Sequence, residues 1–210
     1  MKNVILLAPP AAGKGTIAND LKNLGYIQIS IGDTLRRLAK EDKALGEAMQ
    51  TGGLVDDKII FKALNNKLDE IGNKPYILDG FPRNIEQAKM YNELLEKENK
   101  DLGVVIYLDV DKEVLLKRAT SRVVCLNCGR SYSLIKDELK PNEEGICDDC
   151  NTNLIKRKDD TEEVFESRYN TFIEKTFPLI KYYEEQNNLY RITELEESKI
   201  LEEVKRIIGF

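Results

Sequence analysis

Short apolar runs alternate along this chain with longer stretches in which apolar positions recur every three to four residues. The runs are Val4–Leu7, Tyr26–Ile29, Tyr76–Leu78, Val104–Leu108 and Leu189–Ile192. The helical pattern covers Gly15–Asn23, Thr34–Lys40, Lys58–Ile71, Ile85–Glu98, Lys112–Ser121, Glu162–Gln186 and Ser198–Ile208. Short apolar runs alternating with longer helical patterns predict a parallel α/β sheet. Several helix ends carry their own signals. Asp57 and Asn84 are expected to cap helix starts, and Asp160 with Glu163 fits a capping box. Gly72 suits a left-handed C-terminal exit.

Two places interrupt the alternation. Leu35–Val55 reads as a small helical insert closed by the turn signal Gly52-Gly53, and Arg122–Asp160 as a loop-rich module without sustained periodicity. At 210 residues the chain fits one α/β domain carrying such inserts. The 41% hydrophobic fraction supplies a core, and the 33% charged fraction implies well-solvated helices. A net charge of -5 argues against general nucleic-acid binding, which leaves a basic footprint. Positive charge must therefore be gathered locally if the ligand is a polyanion. Val4–Ala8 is too short for a signal peptide or a membrane span, and no later stretch reaches spanning length, so a cytoplasmic protein is expected. The chain has no histidine. Its chemistry must run on Lys, Arg, Asp and metal ions.

Four motifs bear on that chemistry. Ala8-Pro9-Pro10-Ala11-Ala12-Gly13-Lys14-Gly15-Thr16 follows the first strand and opens a helix. Backbone amides from Ala11 to Thr16 can converge on a phosphate, with the helix N-terminus behind them and Lys14 reaching outward. The alternative is a plain strand–turn–helix joint with a solvated lysine. Tyr76-Ile77-Leu78-Asp79-Gly80-Phe81-Pro82-Arg83 puts a carboxylate at a strand's C-terminal edge, where ligands of open α/β sheets bind. Asp79 there could hold hydrated Mg²⁺ and Arg83 could fork onto a phosphate, or Asp79 could cap the next turn. The arginines Arg36, Arg83, Arg118, Arg122, Arg157 and Arg168 form the third signal. Arg118 and Arg122, at i, i+4 spacing, can share a helix face, and Asp159-Asp160 can hold Arg157. Last, Cys125-x-x-Cys128 and Cys147-x-x-Cys150 use all four cysteines of the chain in two knuckles. That spacing matches a tetrahedral zinc site of structural type. Two disulfides, four free thiols or bound iron are the alternatives.

Together these segments resemble adenylate kinases, in the long bacterial form with a zinc-binding lid. The resembling stretches run from Val4 to about Ile208. They are Gly13-Lys14-Gly15-Thr16, Ile29-Ser30-Ile31-Gly32-Asp33, Gly53-Leu54-Val55, Leu78 to Arg83 with Gln87, the paired cysteines, and Arg157-Lys158-Asp159-Asp160 with Arg168. The resemblance implies a five-stranded P-loop nucleoside-monophosphate kinase fold. Its core would be residues 1–29, 56–121 and 161–210, its monophosphate-binding insert 30–55, and its lid 122–160. The implied activity is reversible transfer of the ATP γ-phosphoryl to AMP, giving two ADP, with Mg²⁺ as the cofactor of ATP and Zn²⁺ structural in the lid.

The implied residue roles follow position by position. Ala11, Ala12, Gly13, Lys14, Gly15 and Thr16 would hold the ATP phosphates. Arg118, Arg122, Ser131, Tyr132 and Glu196 would complete the ATP side. Arg36, Gly53, Leu54, Val55, Gly80, Phe81, Pro82 and Arg83 would line the AMP site with Ile31, and Gln87 would read the adenine edge. Arg157 and Arg168 would bridge the two phosphate groups, and Asp79 with Asp33 would orient hydrated Mg²⁺. Partners would be ATP and AMP or ADP alone, with no nucleic acid, no membrane and a monomeric state. Several positions depart from the family pattern. Ala8 and Ala11 stand where glycine is usual, Ile31 where threonine is usual, and the insert is about one helical turn short. A kinase for another monophosphate is thus a second reading. A non-catalytic zinc-ribbon protein binding nucleotides or nucleic acid is a third, although the seven basic and eight acidic residues of Arg122–Asp160 make a poor nucleic-acid surface.

Overall fold

The computed structural model describes residues 1–31, 34, 35, 39, 56–157 and 160–210. Arg36, Asp33, Gly53, Leu54 and Val55 lie outside the described residues, as does nearly all of the expected helical insert.

The described chain forms two compact units. The first comprises Met1–Ala8, Gly13–Leu108 and Lys175–Phe210. Its strands are β1 (Val4–Leu7), β2 (Ile27–Ser30), β3 (Tyr76–Asp79), β4 (Val104–Leu108) and β8 (Leu189–Ile192). They form one parallel sheet in the order β2-β3-β1-β4-β8. Residues of β1 and β4 are buried without exception. This is the expected result for central strands with helices on both faces. From β1 the chain first builds one side of the sheet and then the other. The loop after β1 therefore leaves the sheet where the strand order reverses, the place where open α/β sheets bind ligands. The helices of this unit are α1 (Lys14–Asn23), α2 (Asp57–Ile71), α3 (Ile85–Lys97), α6 (Pro178–Glu184) and α7 (Glu197–Ile208).

The second unit is Pro9–Ala12 with Asp109–Glu174. It contains α4 (Lys112–Thr120), α5 (Glu162–Thr171) and an antiparallel sheet in the order β6-β5-β7. The strands are β5 (Arg122–Cys125), β6 (Ser131–Ser133) and β7 (Leu154–Ile155).

Some local expectations change. The long helix expected over Glu162–Gln186 is broken into α5, a π-helical turn over Phe172–Thr176, and α6, which begins at Pro178. Pro178 has no N–H for the Glu174 carbonyl and its ring crowds that position, so a regular helix cannot continue through it. Asp56 rather than Asp57 caps α2, its side chain accepting from the Lys58 amide. Thr161 rather than Asp160 caps α5 by accepting from the Val164 amide. Asn84 caps α3 as expected, accepting from the Gln87 amide at 2.8 Å. Gly72 ends α2 at a φ of 61° and a ψ of -123°, a positive φ that only glycine takes easily but not the left-handed helical exit expected. Among the described residues no helix is long and apolar enough to cross a membrane.

Candidate active site and cysteine cluster

In the first unit, the phosphate motif opens α1. Gly13 takes a φ of 95° at the N-cap and no side chain caps the helix. Thr16 and Ile17 donate their amides to the Gly13 carbonyl. Among the described residues no acceptor meets the amides of Gly13 or Gly15. A helix start with open amides carries partial positive charge and suits an anion. The Lys14 ammonium donates to the Ala8 carbonyl at 2.7 Å, which arches the side chain back over its own loop.

The second chemical segment leaves β3. Asp79 closes the strand half-buried, and its Oδ2 accepts from Gln28 Nε2 at 3.0 Å. Gly80 follows with a φ of 75° and the Phe81–Pro82 peptide is cis. The Phe81 ring is in the core, edge-on to Phe61 and Tyr91 at centroid distances of 5.5 and 5.8 Å. Only the backbone of Phe81 can therefore face a ligand. The exposed Arg83 has its backbone held on both sides. Its N–H donates to Gln87 Oε1 at 2.8 Å, and its carbonyl accepts from the Thr176 hydroxyl at 3.0 Å. Its Nε donates to the Gly80 carbonyl at 2.9 Å. Gln87 is itself buried, and its Nε2 donates to Asp57 Oδ1 at 2.7 Å. Ile31, just past β2, is buried and apolar.

In the second unit, Ala11 has a φ of 64°. An alanine in this left-handed region costs about 1 kcal/mol relative to its usual conformations. A small cleft brings Pro10 and Ala11 together with Ala119, Arg122, Asp160, Phe165 and Arg168. Arg122 is half-buried and donates from both Nε and Nη2 to the carboxylate of Asp160, which is 2% exposed. Two expectations are corrected here. Arg118 and Arg122 do not share a helix face, because α4 ends at Thr120 and Arg122 starts β5 opposite Ser133. Asp160 gives its carboxylate to Arg122 and only its amide to the Arg157 carbonyl, at 3.2 Å. The Asp160 carboxylate is thus not what holds Arg157, and Asp159, the other residue expected there, lies outside the described residues.

The four cysteines converge. One sulfur from each of Cys125, Cys128, Cys147 and Cys150 lies within 4.8 Å of all the others, and all are free thiols. Four sulfurs at this separation are a donor set that could hold a metal ion. Each buried cysteine is met by a hydroxyl: Thr152 Oγ1 lies 3.2 Å from Cys125 Sγ, and the Tyr132 hydroxyl 3.4 Å from Cys147 Sγ. The Thr152 hydroxyl, helped by the Cys128 amide, pulls the Cys125 thiol down to about 6. The Tyr132 hydroxyl likewise lowers Cys147. Tyr132 also accepts from the Asp148 amide at 2.8 Å. Its ring lies under the Arg130 guanidinium, and Arg130 bonds Asp149 at 2.5 Å. With its side chain committed to the cysteine cluster, Tyr132 could meet a nucleotide only through backbone, whereas its exposed neighbour Ser131 could use backbone or side chain.

A family model described as adenylate kinase matches residues 6–188. An adenylate kinase of Fervidobacterium nodosum is 42% identical, with 98% of this chain and 95% of that protein aligned. Adenylate kinases of Thermosipho africanus and Thermotoga petrophila are 39% and 37% identical, aligned over 98% and 100% of this chain and 99% and 98% of theirs. The chain belongs to the adenylate kinase family.

Against the adenylate kinase expectation, the two units sort the site residues. Gly13, Lys14, Gly15, Thr16, Ile31, Asp79 to Arg83, Gln87 and Glu196 belong to the first unit. Ala11, Ala12, Arg118, Arg122, Ser131, Tyr132, Arg157, Arg168 and the cysteines belong to the second. Glu196 precedes α7, and its amide is bound by the Glu194 carboxylate, which that bond holds below the usual range. Sequence reasoning misses Asp57 and Thr176 beside Arg83 and Gln87, and Thr152 beside Cys125. In a single sequence nothing distinguishes Asp57 from Asp56, and either fits a helix cap.

Proposed function

We propose that this chain is an ATP:AMP phosphotransferase that transfers the γ-phosphoryl of ATP reversibly to AMP. The observation that carries the reading is membership of the adenylate kinase family over essentially the whole chain. The amides of Ala11 to Thr16 and the Lys14 ammonium would hold the ATP phosphates. Arg83, with Arg36, would hold the monophosphate, and Gln87 would read its base within a pocket formed by Gly53 to Val55. Arg118, Arg122, Arg157 and Arg168 would neutralise the charge that spreads over the transferred group. Phosphoryl transfer through a loose transition state depends on positioning and charge more than on a side-chain base, which suits a chain without histidine. Mg²⁺ bound with ATP supplies further charge neutralisation, and Asp79 with Asp33 would hold its waters. In the cysteine cluster the ion would be Zn²⁺, making residues 122–160 a lid stiff enough to move as one body over the site. Residues 30–55 would form the monophosphate-binding insert and the remainder the core. A monomer in the cytoplasm completes the reading.

The test is direct. Purified protein is incubated with Mg·ATP and each nucleoside monophosphate in turn, and ADP is followed. Turnover with AMP is expected. Turnover confined to another monophosphate would replace AMP as the acceptor, a reading favoured by the buried, hydroxyl-free Ile31. Absence of turnover with every acceptor would refute the enzyme reading.

A further inference from the structure

The Gln87 side chain is 5% exposed and held at both ends of its amide. The two partners leave no ambiguity about its orientation. A carboxylate offers acceptor oxygens, and the Gln87 NH₂ end donates to Asp57 Oδ1 at 2.7 Å. The Arg83 backbone N–H can only donate, so the group 2.8 Å away must be the carbonyl end. Rotating the amide by half a turn would set oxygen against carboxylate and N–H against N–H. Both contacts would be repulsive in a buried site, and both hydrogen bonds would be lost. One N–H and one lone pair of the amide remain for a ligand, in a fixed order. Asp57 is available for this because its neighbour Asp56 takes over the capping of α2.

We propose that Asp57 is a specificity-determining positioning residue: by locking the Gln87 amide it makes the monophosphate site accept a 6-aminopurine and reject a 6-oxopurine. This rests on the reading that Gln87 faces the monophosphate base. A 6-aminopurine presents an acceptor at N1 and a donor on its 6-amino group. A 6-oxopurine presents a donor at N1 and an acceptor at O6, so both polarities reverse. The amide could follow that reversal only by turning over, at the expense of its bonds to Asp57 and Arg83. A site that cannot turn leaves its buried groups unpaired against the wrong base, which is how hydrogen-bonding pockets discriminate strongly.

The experiment compares AMP with inosine monophosphate, which differs at that edge alone. In the full-length protein and in Asp57→Asn, kcat/KM for AMP is measured together with the inhibition constant of inosine monophosphate against AMP. Asparagine keeps the shape but can face either end of the Gln87 amide. The preference for AMP should fall about tenfold, the usual equivalent of one hydrogen bond to a charged group. Asp57→Ala, which removes the partner, should shift the preference in the same direction and serves if the asparagine variant does not fold. An unchanged preference, or equal weakening toward both nucleotides, would overturn the proposal by reducing Asp57 to a structural role. Gln87→Leu tests the underlying reading separately. There the KM for AMP should rise, and an unmoved KM would refute base recognition by Gln87 whatever Asp57 does.

Discussion

The five-stranded sheet and the three-stranded sheet around the cysteines differ in what holds them. In the former, β1 and β4 are buried over their full lengths, and residues such as Ile5, Ile77, Leu78 and Ile106 have no exposure at all or nearly none. Burial of that kind stabilises by about 25 cal/mol per Å² of apolar surface and needs no further device. In the latter, among the described residues, the buried cluster comprises Val123, Cys125, Tyr132 and Cys147, with Cys150 and Leu154 packed against it, and Val124 and Ser133 are the other buried strand residues. Leu126, Leu134, Ile135 and Ile155 on the same module are exposed. Half of that cluster is cysteine, so the module's cohesion depends on what the sulfurs bind. One sheet is self-sufficient. For the other, we propose a cross-link through the sulfurs.

The sharpest way to break this contrast is to remove the metal that the cysteines are proposed to hold. Chelation, or Cys147→Ser, should unfold residues 122–155 with a loss of the order of 10 kcal/mol of local folding free energy. Hydrogen exchange should then become fast across β5 to β7 while the amides of β1 and β4 stay protected. Uniform protection after chelation would mean the module holds itself.

Asp160→Ala should come next in size. It strands the half-buried Arg122 without its bidentate partner, at about 3–5 kcal/mol. Urea denaturation should show the loss, and Asp160→Asn should recover part of it. Leu78→Ala probes the main sheet in the same units. A cavity at a side chain with 0% exposure should cost about 3 kcal/mol, and metal should make no difference to that cost.

Alkaline pH acts on both sheets, since burial also raises the Tyr132 hydroxyl on β6. Burial raises the Tyr76 and Tyr183 hydroxyls, and raises Tyr91 well above its usual value. The folded chain keeps these protons where the unfolded chain releases them, near pH 10. Their contribution is therefore complete below pH 10 and is lost as pH rises beyond it, with each tenfold difference in proton affinity between the folded and unfolded chain worth about 1.4 kcal/mol. Denaturation midpoints should fall between pH 10 and 11, and less so in Tyr91→Phe. The smallest effect belongs to Ala11→Gly. Relief of its 64° φ should raise stability by about 1 kcal/mol or less, read from the urea midpoint. A lower midpoint would show that the alanine methyl group contributes packing that outweighs its strain.

Much of the fold was legible because burial on both faces writes itself into the chain. Val4–Leu7 and Val104–Leu108 are strands with the bounds their apolar runs predict, and so is the edge strand Leu189–Ile192, although its Tyr190 and Arg191 are exposed. The paired cysteine knuckles were equally legible, since two residues between thiols leave little freedom in how a turn can point them. Pro178 was harder to weigh, because the flanking residues keep helical periodicity while the chain opens into a π turn. Adjacent acidic residues were the least legible. Asp56 and Asp57 share a chemistry, yet Asp56 caps its own helix while Asp57 and Asp160 serve partners 30 and 38 positions away.

By itself, then, the order of residues determined the five parallel strands, the loop and helix start after β1 and the gathering of four thiols, whereas the three strands β5 to β7 arise in a stretch that reads as loop. The former follow from local spacing and from the need to bury apolar runs. Tertiary structure alone decided that Asp160 holds Arg122 rather than Arg157, that Tyr132 and Thr152 turn toward the cysteines, and that Asp57 orients Gln87. Those choices join residues 15 to 38 positions apart, and a hydrogen bond is satisfied only by the group the fold brings within about 3 Å.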